Sequence, residues 1–98
     1  AGKVKFKAET DYYPFRQKES LPVVRRAMAA VSEIGGTPNI RFANGGLDAN
    51  WLSARGLPTV TLGCGQMNAH MTSECLDLRE FDQACRVGLR LATGSESM

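Results

Sequence analysis

The run Asn44-Gly45-Gly46-Leu47-Asp48-Ala49-Asn50-Trp51-Leu52-Ser53-Ala54-Arg55-Gly56-Leu57-Pro58-Thr59-Val60-Thr61-Leu62-Gly63 decides how this chain is read. A glycine pair turns the backbone. Asp48 to Ala54 then predicts a short helix closed by Gly56, with Pro58 preventing its resumption. Thr59 to Leu62 is a compact β-rich run ending at Gly63, so the segment is expected as a helix followed by a buried strand.

Upstream, Val4, Phe6 and Ala8 alternate with Lys3, Lys5 and Lys7. This period of two predicts a strand from residue 3 to about 9 with one buried and one wet face. Ser20 is placed to cap a helix in which Val24, Ala27, Met28, Val31 and Ile34 recur at spacings of three and four. Gly35-Gly36 and Pro38 end it. Ile40 and Phe42 around Arg41 predict a further strand, which makes the first 43 residues a β-α-β unit. Downstream, Asp77-Leu78-Arg79-Glu80 has the spacing of a capping box, and Leu78, Phe81, Cys85, Leu89 and Ala92 mark one helical face up to Gly94. Trp51 and Phe81 are expected in the core, and Ser95 to Met98 as a frayed tail. The composition changes near Asn44, where a boundary is expected. The fold class is mixed α/β.

With 98 residues, 43% hydrophobic and 22% charged, the chain is at most one modest domain with an ordinary soluble composition. Twelve Lys and Arg against ten Asp and Glu give a net charge of +2, and the basic residues are interspersed. They make no broad basic face of the kind nucleic acid requires, so no nucleic-acid partner is expected. No apolar run approaches the roughly 20 residues needed to cross a bilayer, and Ala1-Gly2-Lys3 has no signal-peptide pattern. No membrane association is expected. Cys64, Cys75 and Cys85 form an odd set without a CxxC pair, which suggests neither a disulfide framework nor a structural zinc site and fits a reducing compartment.

His70, the single histidine, lies in Gly63-Cys64-Gly65-Gln66-Met67-Asn68-Ala69-His70-Met71-Thr72-Ser73-Glu74. Two readings stay open for this block. In one it is a loop at the carboxyl end of a buried strand, the edge where α/β sheets place ligands, with the imidazole facing a cleft. In the other it is a glycine-rich turn linking strand to helix, with His70 bonded locally. Glu74 either orients His70 or is a surface group or cap, and Asp77 reads as a helix cap rather than a ligand. Asn44 to Asp48 either offers backbone N–H groups to an anion or is a plain turn capped by Asp48. Cys64 has only His70 as a base within its block, and a small buried cysteine is the simpler reading.

The order and spacing of Gly45 to Leu52, Ala54 to Gly63, then His70 with Glu74, closely resemble the C-terminal end of the co-catalytic zinc metallopeptidases. That superfamily includes peptidase T, carboxypeptidase G, aminoacylase and succinyl-diaminopimelate desuccinylase, and the nearest likeness is to the peptidase T-like tripeptidases. The resemblance implies that residues 1–43 are the second half of a lid or dimerisation domain. Residues 44–98 would be the last helix-strand-helix segment of a catalytic domain. It implies His70 as a ligand to one of two zinc ions per complete chain, and Asn44, Gly45, Gly46 and Asp48 as substrate-binding residues. A small peptide or N-acyl amino acid is the implied substrate, hydrolysed at an amide bond in the cytoplasm. The remainder of the same protein and a second copy joined through the lid are the implied partners.

Asn44 stands where peptidase T proper carries an arginine suited to gripping a peptide carboxylate, so the resemblance does not extend to that grip. The family's His-x-Asp motif, general-base glutamate and remaining carboxylate ligands lie upstream of any residue in this chain. The chain by itself is therefore expected to be an inactive fragment. A stand-alone, non-catalytic α/β interaction or assembly module is the alternative from another class.

Overall fold

The computed structural model describes residues 2–94; the tail expected to fray, Ser95 to Met98, lies outside the described residues. The elements run α1 (Pro22–Glu33), α2 (Asp48–Ala54), β1 (Gln66–Met67), β2 (Cys75–Leu76) and α3 (Leu78–Thr93). The mixed α/β class holds. β1 and β2 pair antiparallel as a hairpin, with Gln66 opposite Leu76 and Met67 opposite Cys75.

α1 follows the periodicity of its apolar residues. Val24, Ala27 and Ala30 are buried, while Met28, Val31 and Ile34 are half-buried along the same side. Its N-cap is Leu21, which contributes no side-chain bond, and Pro22 starts the helix. The expected Ser20 cap is therefore not used: proline, which has no N–H to satisfy and a preset φ, opens the first turn instead. At the other end Gly35 takes φ +85°, its N–H donates to the Ser32 carbonyl at 3.0 Å, and the Gly36 N–H donates to the Val31 carbonyl at 3.0 Å. Those two bonds satisfy carbonyls that the helix end would otherwise leave open. Asp48–Ala54 matches the predicted short helix, and it too ends in this pair of bonds, from Gly56 to Ser53 and from Leu57 to Leu52.

α1 packs on α3, and the buried apolar residues are Val24, Ala27, Ala30, Ala49 and Val87. Glu33 and Arg90 join these helices through an ion pair at 2.5 Å. The face of α3 that is buried is not the one expected. Leu78 is 72% exposed, Phe81 and Cys85 are exposed, and Val87 is buried. α3 carries apolar residues on more than one side, and among the described residues it is the side towards α1 that buries Val87. Trp51, expected in the core, is 51% exposed on α2.

None of the strands expected over 3–9, 40–42 and 59–62 forms. These segments are without regular structure, and Val4 and Phe6 are almost fully exposed. A strand exists only as a member of a ladder, and among the described residues no second segment lies in register with any of the three. The chain is correspondingly open: its radius of gyration is 17.5 Å, against about 13 Å for a compact domain of this length. Its accessible surface is 8456 Å², whereas a folded monomer of this mass exposes about 5,500 Å².

The irregular segments are nevertheless tethered. The Arg16 guanidinium sits 4.4 Å from the centroid of the Phe42 ring. Gln17 Nε2 donates to Ser53 Oγ at 3.3 Å and to the Thr59 carbonyl at 3.2 Å. These contacts hold residues 12–17 beside α2.

Candidate functional site

His70 occupies the loop of the β1-β2 hairpin. Both readings of this block, the loop at a strand's carboxyl end and the turn from strand to helix, expect no strand within it, and the pairing of Gln66-Met67 with Cys75-Leu76 departs from both. Two-residue strands carry too little periodicity to be seen in sequence. The loop from Asn68 to Glu74 is built by local bonds. The Met71 N–H donates to the Asn68 carbonyl at 3.1 Å, and the Glu74 N–H donates to the Met71 carbonyl at 3.0 Å. Asn68 Nδ2 reaches the Ser73 carbonyl at 3.4 Å.

Asn68 and His70 both have left-handed backbone, at φ +53° and φ +65°. Among residues other than glycine this region is sparsely used, with Asn and His enriched in it. His70 is held there by Glu74, whose Oε2 accepts the His70 backbone N–H at 2.8 Å. Glu74 thus orients the backbone of His70 rather than its ring. The side chain is exposed, and the imidazole has no hydrogen-bond partner among the described residues.

The hairpin is anchored at its base. Gly65, buried with φ +86°, accepts the Asp77 N–H at 2.9 Å through its carbonyl. A Cβ at Gly65 would lie 2.7 Å from the Asp77 carbonyl oxygen and 3.0 Å from Glu80 Cβ. Asp77 caps α3 as expected: its Oδ1 accepts the N–H groups of Arg79 at 2.9 Å and Glu80 at 3.2 Å. His70 is therefore carried on a short hairpin docked to the start of a 16-residue helix.

The second candidate region, Asn44, Gly45, Gly46 and Asp48, is an exposed turn leading into α2. Asp48 is the first helical residue and not the cap, which is Leu47. Its carboxylate remains in the first turn, where negative charge is favourable. An open groove of about 420 Å³ separates α2 from residues 59–62, lined by Leu47, Asp48, Leu52, Val60 and Leu62 among others. No hydrogen bond joins this turn to the hairpin loop among the described residues. Cys64, Cys75 and Cys85 are free and exposed, so the buried reading of Cys64 does not hold.

Sequence reasoning assigned no role to Asn50, which is 5% exposed and bonded at both ends of its amide. Its signal was available: an amide three residues after the residue preceding a helix has the spacing that reaches back to the N-cap N–H.

Chemically, one exposed imidazole can serve as one metal ligand. Catalytic zinc takes three protein ligands and structural zinc four. Among the described residues no group of three or more His, Cys, Asp or Glu side chains comes together to hold an ion. The described residues therefore do not form a zinc site by themselves.

The model of peptidase family M20/M25/M40 matches residues 2–94. The chain belongs to that family. It is 34% identical over 94 residues to peptidase T of Exiguobacterium sibiricum, a match covering 94% of this chain and 23% of the relative. Peptidase T of Halothermothrix orenii is 34% identical over 82 residues, 82% of this chain and 20% of the relative. A Bacillus subtilis protein, uncharacterized protein YqjE, is 30% identical over 80 residues, 82% of this chain and 22% of its own length. The chain thus spans under a quarter of these curated relatives. No solved structure matches it significantly. Among the described residues, no helix is long and apolar enough to cross a membrane.

Proposed function

We propose that this chain is the C-terminal portion of a dizinc aminopeptidase- or tripeptidase-like enzyme of the cytoplasm, which hydrolyses peptide or related amide bonds only as the complete protein. Residues 1–43 belong to the second half of a lid through which two copies associate, and residues 44–98 to the catalytic domain. His70 supplies one imidazole ligand, and residues outside this chain supply the rest. Zinc, when bound, polarises a substrate carbonyl and provides activated water. The turn of Asn44, Gly45, Gly46 and Asp48 faces a small peptide or N-acyl amino acid.

The observation that carries this reading is the backbone of His70. His70 is the single imidazole, its backbone is fixed by the Glu74 carboxylate, and its ring is left exposed where a metal can reach it. Family membership and the share of the relatives' length covered support the same reading. Trialanine hydrolysis by the full-length protein, lost on chelation and restored by Zn²⁺, is the test. The 98-residue chain should show no turnover; full-length hydrolysis indifferent to chelators would contradict the zinc mechanism.

A further inference from the structure

Asn50 is the one buried polar side chain among the described residues, and it bridges two distant parts of the chain. Its Oδ1 accepts the Leu47 N–H at 2.8 Å, and its Nδ2 donates to the Tyr13 carbonyl at 2.8 Å. Beside it, a Cβ on Gly46 would lie only 2.5 Å from Cε1 of the Tyr12 ring, so any side chain here would displace that ring. The glycine turn is therefore fixed to residues 12–13 twice, by the ring over Gly46 and by the amide between Leu47 and Tyr13. Asparagine carries a donor and an acceptor on one short planar group; aspartate at neutral pH has acceptors only, and alanine has neither.

We infer that Asn50 is a positioning residue for substrate. By clasping the turn 44–48 to residues 12–13, it sets where the backbone of Gly45 and Gly46 meets the bound molecule. This rests on the reading of that turn as substrate-facing. An interaction needed only for folding would lower the melting temperature and the active fraction, and hence apparent kcat, while leaving KM unchanged. Loss of positioning moves KM in protein that remains folded.

The test uses full-length protein with trialanine as substrate. Asn50→Ala should raise KM by about tenfold with kcat within about threefold, because the substrate-facing backbone is no longer held in place. Asn50→Asp keeps the bond from the Leu47 N–H but sets a carboxylate oxygen against the Tyr13 carbonyl, and should raise KM at least as much. Unchanged KM in both folded variants overturns the proposal. Amide exchange in the unsubstituted full-length protein provides a measurement independent of either variant's folding. Slow exchange of the Asn50 Nδ2 protons, which bond to the Tyr13 carbonyl, relative to the side-chain amide of exposed Asn44 supports the clasp, and equally fast exchange overturns it. If the unsubstituted protein hydrolyses neither trialanine nor a dipeptide or N-acyl amino acid, the peptidase reading fails, while the exchange result still decides the clasp.

Discussion

Glu74 Oε2 accepts the backbone N–H of His70 at 2.8 Å, so the carboxylate fixes the histidine's main chain while leaving its ring exposed. Groups that hold a metal ligand in place typically change affinity by about 10–100-fold when removed. In the full-length protein Glu74→Ala should weaken Zn²⁺ binding by that order, whereas Glu74→Gln retains a side-chain oxygen acceptor and should bind nearly normally. Competition with a chromophoric chelator measures both. Unaltered affinity in Glu74→Ala would remove the link between this bond and the metal.

Gly65 and Gly56 share φ +86° but not their surroundings. Nothing lies within 4 Å of a Cβ built on Gly56, while one on Gly65 meets the Asp77 carbonyl oxygen at 2.7 Å. Left-handed backbone costs a residue with a side chain about 1–2 kcal/mol, so Gly56→Ala should lose that much. Gly65→Ala should lose more, because a backbone atom of the α3 cap must also move. Urea unfolding of the full-length variants gives the comparison, and equal losses would show that the hairpin is not seated on α3 as described.

Much of this was legible. The apolar periodicity of Val24, Ala27 and Ile34, the glycine stop at Gly35 and the cap at Asp77 are local signals, and each produces its element through contacts within a few residues. Val4-Phe6-Ala8 and Thr59-Val60-Thr61-Leu62 have the composition of strands but form none, because strand pairing depends on a second segment that the local pattern does not contain. His70 stood out by type and spacing. Its left-handed backbone and Glu74's bond to the main chain depend on a loop closed by a two-residue hairpin, which has no readable period. The cap bond of Asn50 to Leu47 has a local signal, whereas its bond to Tyr13, remote in sequence, has none.

The isolated 98-residue chain should associate or pack loosely. Phe6, Phe42, Trp51, Leu78 and Phe81 are all exposed, and uncovered apolar surface on this scale favours self-association. Sedimentation velocity should show concentration-dependent species, with rapid amide exchange over residues 2–13 and 37–46. A compact monomer protected throughout would favour an independent module over a portion of a peptidase.

The central claim is that His70 is a zinc ligand, and metal analysis of the full-length His70→Ala protein tests it most directly. Losing one imidazole should reduce bound zinc from two ions towards one per chain and abolish most peptide hydrolysis, with the fold retained. Asp77→Ala is the control. It removes only the α3 cap and should cost about 0.5–2 kcal/mol of stability with metal content unchanged. Two zinc ions and full turnover retained after His70→Ala would contradict the ligand assignment and the hydrolase reading built on it.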